Sequence, residues 1–229
     1  VWGIMSNKKI SIFKNLSWKK LFLIFLIFSI FGSLFEQVQY VIRHYQHTKE
    51  IQIPSRTAVI YGQLNMIYGF GAVLFILLLS KLKKWYQIFI FGSLIGGIFE
   101  YLVSFLQEFF VGTSSWDYSQ KFLNINGRTT IPIMCVWGLL SLILIKIAYP
   151  YLSSLIEKIP ALFGNILVSI LLILITLDAL ISWTALIRQN HRRKGYPPMT
   201  KIGSICDKIY PDEVLKKAYP NMNYKKRRD

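Results

Sequence analysis

The chain has 229 residues, with 27 Lys and Arg against 11 Asp and Glu, a formal net charge of +16 and 53% apolar residues. Soluble domains average about 45–50% apolar residues, so the distribution along the chain has to decide the class of protein. Charged residues and apolar residues lie in separate segments of the chain. This distribution excludes a soluble nucleic-acid-binding protein despite the basic composition. The two cysteines, Cys135 and Cys206, are too few for a disulfide framework.

Five runs of mostly apolar residues predict membrane-spanning helices, because a hydrocarbon core about 30 Å thick needs about 20 such residues. Lys and aromatic residues lie at the ends of these runs, as is typical where side chains meet lipid headgroups. The first run is too long for a signal peptide, and no small-residue cleavage site follows it. Buried helices of a large soluble protein are the alternative, but they would leave almost no polar surface. The predicted spans are residues 21–42, 60–80, 85–111, 131–149 and 162–187.

The predicted fold is therefore an all-α integral membrane protein with about five transmembrane helices. The predicted parts are a basic N-terminal segment 1–20, two helix pairs 21–80 and 85–149, a fifth helix 162–187 and a basic C-terminal tail 188–229. Lys and Arg near the spans number about ten on one side and about eleven on the other, a near tie that leaves the orientation open. The basic cluster after the last span favours a cytoplasmic tail, because the inner leaflet is anionic.

The first four spans contain an internal duplication. Residues 29–36 of the first span align without gaps to residues 93–100 of the third, at an offset of 64 residues. Each is followed by a loop with an Arg-Thr pair and by an aromatic-glycine step, Tyr68-Gly69 in one copy and Trp137-Gly138 in the other. Two spans per copy predict parallel repeats related by an axis along the membrane normal, as in some transporters.

A glutamate lies at the end of each copy of the repeated helical motif, Glu36 in the first and Glu100 in the second. A carboxylate within a span costs about 2.5–3.5 kcal/mol on insertion scales, and it is retained mainly where it faces protein or water. Gly32 and Gly96 precede the glutamates by one helical turn, on faces where helices can approach closely. A functional site is one interpretation, and simple solvation near one membrane surface is the other.

The loop after the third span adds hydrogen-bonding groups on the same side of the membrane as the glutamates. It contains a Trp-Asp-Tyr-Ser segment at 116–119 and an Asn-Gly-Arg turn at 126–128. We expect acids and arginines to converge there in a vestibule, where they pair with each other or with an anionic headgroup. A structural ion-pair network that only locks the helices is the alternative. The predicted substrate-binding residues are Glu36, Glu100, Arg56, Arg128, Trp116, Asp117, Tyr118, Asn126, Tyr68 and Trp137.

Asp178 in the fifth span is a third intramembrane acid and a secondary candidate, for which a helix-packing hydrogen bond is the alternative. The sequence has no phosphate-loop motif, no zinc-binding His-Glu-x-x-His pair and no serine-hydrolase elbow, so no catalytic residue and no cofactor are predicted. His44 and His47 supply only two metal ligands, and no metal site is predicted. Acid–base chemistry by the paired glutamates remains open.

The tail mixes Lys and Arg with aromatic residues and prolines. We expect it to adhere to anionic lipid headgroups rather than to bind a protein, and no nucleic-acid partner is predicted. Residues 214–218 are predicted to form a short helix capped by Asp212.

Together these motifs resemble the bacterial ABC-transporter type IV permease family. The resemblance covers residues 21–222, and its most specific element is the Trp-Asp-Tyr-Ser to Asn-Gly-Arg loop. Gln63 and Met66 stand where the family usually has prolines, a departure at the start of the second span. The resemblance implies a multi-pass plasma-membrane permease. The chain itself carries no ATPase motif, so a separate ATPase or another membrane subunit is a possible partner.

Three functions follow from these observations. The first is transport through a polar site at the interface of the two repeats, which is where transporter sites form. The second is a membrane-embedded enzyme that acts on a lipid-linked or phosphate-bearing substrate. The third is a non-catalytic membrane subunit or scaffold whose tail binds partners.

Overall fold

The computed structural model describes residues 16–224, so most of the predicted N-terminal segment and the last five residues of the predicted tail lie outside the described residues. In the described part, four helical stretches are long and apolar enough to cross a membrane. They are Trp18–Thr48, Trp85–Val111, Ile131–Glu157 and Ala161–Arg193. The chain is therefore a mostly helical, multi-pass membrane protein.

Eight α-helices and four two-residue strands make up the regular structure of residues 16–224. The helices are α1 (Trp18–Thr48), α2 (Met66–Leu79), α3 (Trp85–Val111), α4 (Ile131–Ile143), α5 (Tyr149–Glu157), α6 (Ala161–Arg193), α7 (Lys201–Ile209) and α8 (Asp212–Ala218), and a π-helical turn (Leu144–Ala148) joins α4 to α5. The strands are β1 (Thr113–Ser114), β2 (Asn124–Ile125), β3 (Thr129–Thr130) and β4 (Asn223–Tyr224), which form the antiparallel pairs β1–β4 and β2–β3.

Side-chain caps fix where two of the long helices begin. The Ser17 hydroxyl accepts the Lys20 N–H at the start of α1, and the Thr130 hydroxyl accepts the Ile133 N–H at the start of α4. Both caps satisfy a backbone donor that the first helical turn leaves without a partner. At the other end of α3, Gly112 adopts a left-handed conformation with φ of 70°, which ends the helix and turns the chain into the following loop.

The second predicted span, residues 60–80, is shorter in the structure than the sequence indicated. Helix α2 has 14 residues, which gives a length of about 21 Å at 1.5 Å per residue. The non-helical segment before it runs back along α1, where the Asn65 N–H donates to the Ser29 carbonyl at 2.9 Å and the Ser33 hydroxyl donates to the Arg56 carbonyl at 2.8 Å. Its backbone thus finds partners inside the protein, as non-helical backbone at membrane depth requires.

Helices α1 and α2 form one hairpin, and α3 and α4 form a second hairpin with matching contacts. A Cβ added to Gly69 would overlap Ser29 Oγ, and a Cβ added to Gly138 would overlap Ser93 Oγ. Glycine is therefore required at both positions for the helix backbones to approach this closely. The two serines and the two glycines are the residues that the sequence alignment of the two pairs matches.

Lysine side chains hold the helices together on the membrane side opposite the glutamates. Lys20 is 1% exposed and forms an ion pair with Glu157 at the end of α5, with 2.5 Å between Nζ and Oε1. Lys19 bonds Asn165 near the start of α6, and Lys146 donates to the Lys83 carbonyl at 2.7 Å. The first two contacts fasten α5 and α6 to α1, and the third joins the π-helical turn to the connection between α2 and α3, all on the side away from the glutamates.

The C-terminal tail is folded against the end of α6. Buried Leu215, Cys206 and Tyr219 pack on Ala185 of α6 and on Val111 at the end of α3. Strand β4 pairs with β1, which ties the tail to the loop after α3.

The start of the tail and its short helix differ in detail from the prediction. Helix α6 continues to Arg193, so the basic residues Arg188 and Arg192 lie on a helix. Helix α8 begins at Asp212, which therefore occupies the first turn instead of the cap. An acidic side chain there complements the helix dipole.

A two-arginine clamp on Asp207 holds α7 to α6. Arg188 contacts both carboxylate oxygens, at 3.1 and 2.6 Å, and Arg192 contacts Oδ1 at 2.5 Å. Hydrogen bonds from Arg188, followed by those from Arg192, hold the pKa of Asp207 below its ordinary value. Tail docking is therefore strengthened above the ordinary carboxyl pKa and loses this contribution as the pH falls through the lowered pKa.

We expect acidification to release α7 from α6 as the pH falls from about 4 through the lowered pKa of Asp207, because the ordinary pKa of an aspartate is about 3.9 and the clamp keeps this carboxylate charged below that pH. Hydrogen-exchange protection of the α7 amides, corrected for the intrinsic pH dependence of amide exchange, reports this release. In the Asp207→Asn variant, protection should be lower at neutral pH and should change little on acidification. Equal protection of α7 in the two proteins at neutral pH would contradict the clamp.

Candidate functional site

Three acidic residues lie at similar depth on three different helices. Glu36, Glu100 and Asp178 are 18, 15 and 17 residues from the first residues of α1, α3 and α6. At 1.5 Å per residue these positions are about 27, 22 and 26 Å along their helices. All three therefore lie toward the side of the membrane that carries the loops after α1 and α3 and the folded tail.

The carboxylate of Glu36 is bound by neutral donors from the start of α2. Its Oε1 accepts hydrogen bonds from the Tyr68 hydroxyl at 3.0 Å and from the Asn65 side-chain amide at 3.1 Å. Asn65 immediately precedes α2 and Tyr68 lies in its first turn, so the short α2 positions both donors. The positive charges that act on Glu36 are those of Arg56 and Arg43, which do not hydrogen-bond it.

The carboxylate of Glu100 is bound in a similar way from the second hairpin and its loop. It is 5% exposed and accepts hydrogen bonds from the Thr129 hydroxyl at 2.6 Å and from the Tyr118 hydroxyl at 3.2 Å. The Trp137 side chain is a further neighbour of this carboxylate. Thr129 lies in β3, directly before α4, and Trp137 lies two turns into α4.

The two glutamates meet through aromatic side chains at the contact between the hairpins. The Tyr68 and Trp137 rings lie 5.9 Å apart between centroids. Tyr118 interacts electrostatically with Glu36 as well as with Glu100, and its burial, followed by the charge of Glu100, raises its pKa above the ordinary tyrosine value. We name the set Glu36, Tyr68, Glu100, Tyr118 and Thr129 the paired-glutamate cluster.

The paired-glutamate cluster has an unusual charge balance for a membrane interior. Neither Glu36 nor Glu100 forms an ion pair with any residue between 16 and 224, and the donors to their carboxylates are neutral hydroxyl and amide groups. Buried carboxylates in such surroundings can take up a proton or a cation, or can exchange a tyrosine hydroxyl for a ligand donor.

The two arginines expected in the vestibule lie beside the cluster and have other partners. Arg128 forms its ion pair with Glu108, at 2.7 Å, and donates to Ser104 at 3.3 Å, so its charge is directed away from Glu100. The Arg56 guanidinium lies over the Tyr40 ring, 4.9 Å from its centroid.

The remaining predicted loop residues shape the loop that carries Tyr118. Trp116 Nε1 donates to the Arg128 carbonyl at 2.8 Å, and the Asp117 carboxylate accepts the Ser119 N–H at 2.8 Å. Asn126 has a φ of 51° in the turn after β2 and donates to the Tyr101 hydroxyl at 3.0 Å. These side chains position the hydroxyl of Tyr118 without contacting either glutamate.

The structure therefore brings together Glu36, Glu100, Tyr68, Tyr118 and Trp137. It places Arg56, Arg128, Trp116, Asp117 and Asn126 around them. Sequence reasoning missed Thr129 and Asn65 as partners of the glutamates. For Thr129 a signal was present, because the Arg-Thr pair is part of the repeated loop pattern, and for Asn65 the sequence holds no signal that we recognise.

Asp178 binds backbone groups of the segment that precedes α2. Its two oxygens accept the Tyr61 and Gly62 N–H groups at 3.2 and 2.7 Å. One turn later, Ser182 accepts the Ile60 N–H at 2.9 Å and donates to Asp178 at 3.2 Å. Asp178 therefore holds a loop in place, a role that neither the site interpretation nor simple helix packing described.

Replacing Asp178 by alanine should destabilise the protein by about 2 kcal/mol, because two partly buried backbone donors lose their acceptor. Thermal unfolding in lipid nanodiscs measures the overall effect, and proteolysis near residues 58–64 reports local release. The matched control is Thr184→Ala on the same helix, where the exposed hydroxyl bonds only the Leu180 carbonyl. Equal behaviour of the two variants would contradict the loop-holding role of Asp178.

Between residues 16 and 224, no three His, Cys, Asp or Glu side chains are grouped to hold a metal ion. His44 lies against the Tyr40 ring, with 5.5 Å between ring centroids.

Comparisons with known proteins give one family. Residues 23–183, more than half of the chain, match the family described as "Putative ABC-transporter type IV". No curated protein and no solved structure matches the chain. The matched region begins within α1, includes α2 to α5 and both glutamates of the cluster, and extends into α6 as far as Asp178 and Ser182. On the basis of this match, the chain, a multi-pass membrane protein, belongs to the family described as "Putative ABC-transporter type IV".

Proposed function

We propose that the chain is the membrane-spanning component of an ABC-type transport system in a bacterial plasma membrane, with a polar pathway at the contact between its two helical hairpins. The observation that carries the proposal is the paired-glutamate cluster, in which Glu36 and Glu100 from different hairpins lie at similar depth among neutral donors. Acidic residues at membrane depth typically mark ion or substrate pathways.

The matching contacts of the two hairpins support their origin as parallel repeats. Gly69 packs on Ser29 as Gly138 packs on Ser93. The aromatic residue before each glycine also has an equivalent position, since Tyr68 bonds Glu36 and Trp137 lies beside Glu100. Transporter sites commonly form at the interface between such repeats, which favours a pathway here over one elsewhere in the chain.

The proposed partner is a separate ATP-hydrolysing subunit. The family description names an ABC transporter, and the sequence has no phosphate-loop motif of its own. The folded tail supplies a further lipid contact in this proposal. Helix α7 exposes Ile202, Ile205 and Ile209 on one side and carries Lys201 and Lys208, a pattern typical of helices that lie on an anionic membrane surface.

The alternative of an enzyme for a lipid-linked or phosphate-bearing substrate has less support from the geometry. Such an enzyme needs an arginine to hold the phosphate next to the catalytic carboxylate. Arg128 is engaged by Glu108, and Arg56 lies over Tyr40 at the end of α1 and bonds neither glutamate. The paired-glutamate cluster therefore lacks the arginine bonded directly to a carboxylate that this chemistry requires.

Cysteine accessibility tests the pathway without knowledge of the cargo. In a background with Cys135→Ser and Cys206→Ala, single cysteines replace Glu36 or Tyr118, and the protein is reconstituted in lipid vesicles. A charged, membrane-impermeant thiol reagent is then added from one side at a time. A cysteine in a water-filled pathway ionises and reacts, whereas a thiol in lipid stays protonated and inert. The matched control is Leu94→Cys on the lipid-exposed face of α3.

We expect the Glu36→Cys and Tyr118→Cys proteins to react, and the Leu94→Cys protein to stay unreacted. Reaction from both sides of the membrane, under different nucleotide or partner conditions, would support alternating access. Absence of reaction at both cluster positions would contradict the transport proposal. The cluster would then be a dry structural network, and the chain would fit a non-catalytic subunit better.

A further inference from the structure

A groove of about 490 Å³ lies beyond the paired-glutamate cluster, at the end of α1. It is lined by Tyr40, Arg43, His44, His47 and Arg56, which come from the last turns of α1 and from the segment that follows. Tyr40 is 20 residues from Lys20, about 30 Å along the helix, so the groove lies at the level expected for lipid headgroups.

The groove carries positive charge with no compensating acid in its wall. No Asp or Glu lines it, and neither Arg43 nor Arg56 forms an ion pair within the described part of the chain. Glu36 acts electrostatically on both arginines but is occupied by Tyr68 and Asn65. The two guanidinium groups thus retain most of their capacity to bind an anion.

The side chains of the groove are held in place before any ligand binds. Arg43 donates to the carbonyl of Gln39 at 3.2 Å and to its side chain at 3.4 Å. The Tyr40 ring is stacked on His44, with 10° between the ring planes, and it also lies 4.9 Å from the Arg56 guanidinium carbon. Preorganised donors bind more tightly, because less side-chain entropy is lost on binding.

Arg56 also has a donor without a protein partner. Its Nε is buried and makes no hydrogen bond in the described structure. An unsatisfied buried donor of this kind costs about 1–3 kcal/mol and calls for a physical explanation. A ligand oxygen in the adjoining groove would provide one.

We propose that this groove binds a phosphate-bearing anion. A planar guanidinium matches the oxygens of a phosphate, and two arginines with two histidines supply enough donors for one such group. The site stands on its own residues and does not depend on the proposed transport function. Its phosphate belongs either to a lipid headgroup or to a soluble phosphate compound.

Binding is tested on the full chain with two probes. One arm uses the protein in a maltoside detergent, which carries no phosphate group, and titrates inorganic phosphate by calorimetry. The other arm places the protein in nanodiscs of phosphatidylglycerol and counts retained lipids by native mass spectrometry. Phosphate binding in the first arm indicates a soluble ligand, and retention of phosphatidylglycerol alone indicates a headgroup.

Arg56→Gln and Arg43→Gln should each weaken binding of the responsive probe by about tenfold or more, as expected for the loss of a charge-assisted contact. The matched control is Lys121→Gln, which removes the same charge from an exposed loop on the same side of the membrane. Lys121→Gln should weaken binding by about twofold or less, because salt screens the field of an exposed surface charge. Thermal unfolding of each variant confirms that the fold is intact.

Binding of neither probe to the unsubstituted protein would overturn the proposal. It would also be overturned if Lys121→Gln weakened binding as much as the two groove variants, because the anion would then respond only to overall charge. An Arg56→Lys variant shows whether the weaker binding of Arg56→Gln comes from a folding defect. It keeps the charge but loses the planar donor pair, so we expect intermediate binding with normal unfolding.

Discussion

Replacing Trp137 by alanine is expected to destabilise the protein by about 3 kcal/mol or more, the range for truncation of a large buried aromatic side chain. Trp137 is 7% exposed and lies where the two hairpins meet. Its ring has aromatic neighbours at 5.9 Å in Tyr68 and Phe75 of the first hairpin and at 6.4 Å in Phe99 of the second. One side chain therefore fills the contact that joins the hairpins.

The loss of stability in Trp137→Ala should also occur in a membrane, although lipid is as apolar as the protein interior. Helix association in a bilayer depends on close packing, because moving a helix surface from lipid to another helix gains no hydrophobic free energy. Gly96 contributes to this packing, because a Cβ at that position would overlap the Trp137 side chain. An alanine at position 137 leaves a cavity that neither glycine nor lipid can fill.

Reversible unfolding in mixed micelles measures the change in the free energy of unfolding for Trp137→Ala. The matched control is Trp183→Ala, because Trp183 is 54% exposed on α6 and its truncation leaves no enclosed cavity. We expect the control to change stability by less than about 1 kcal/mol. Similar losses for both tryptophans would show that the hairpin contact is not specially dependent on position 137.

The second large effect is expected for Glu100→Ala, with a loss of about 3 kcal/mol. The substitution removes the acceptor of the Thr129 and Tyr118 hydroxyls, and each buried donor without a partner costs about 1–3 kcal/mol. Glu213→Ala on α8 is the control, since an exposed glutamate should contribute within about 0.5 kcal/mol. A loss for Glu100→Ala no greater than for the control would mean that water satisfies these donors.

A double-mutant cycle separates the hydrogen bond from other consequences of this change. Thr129→Val keeps the shape of the side chain and removes the donor, and Glu100→Ala removes the acceptor, so the cycle of these two substitutions measures the coupling of the pair. We expect a coupling energy of about 0.5–3 kcal/mol, the range for residues in one hydrogen-bond network. Additive effects would indicate that the 2.6 Å contact between the two side chains contributes little to stability.

Local patterns were sufficient to predict the long helices, because apolar runs of spanning length mark helices whatever their neighbours are and the bilayer sets the length. Tyr68 and Trp137 were predicted as site residues from the repeated aromatic-glycine step, but their positions beside Glu36 and Glu100 were not predicted. The glycine one turn before each glutamate marks a face where helices can approach closely, and the sequence left open whether the glutamates form a site or are solvated near one membrane surface.

Long-range partners decide the features that the sequence did not reveal. Residues 60–65 were predicted to extend a helix, but the backbone N–H groups of residues 60–62 bond Asp178 and Ser182, which lie more than 110 residues later. Arg128 prefers Glu108 to Glu100 because of the path of the loop between α3 and α4. Periodicity and composition contain no information on such pairings.

The dependence of the segment before α2 on α6 also has a consequence for biosynthesis. Asp178 follows Gly62 by 116 residues. At a synthesis rate of about 5–20 residues per second, roughly 6–23 s pass between the synthesis of Gly62 in the first hairpin and that of Asp178, the acceptor of its N–H group. During that interval the N–H groups of residues 60–62 need a temporary partner, either water at the membrane surface or the insertion machinery. The last long helix therefore completes a hairpin that entered the membrane first.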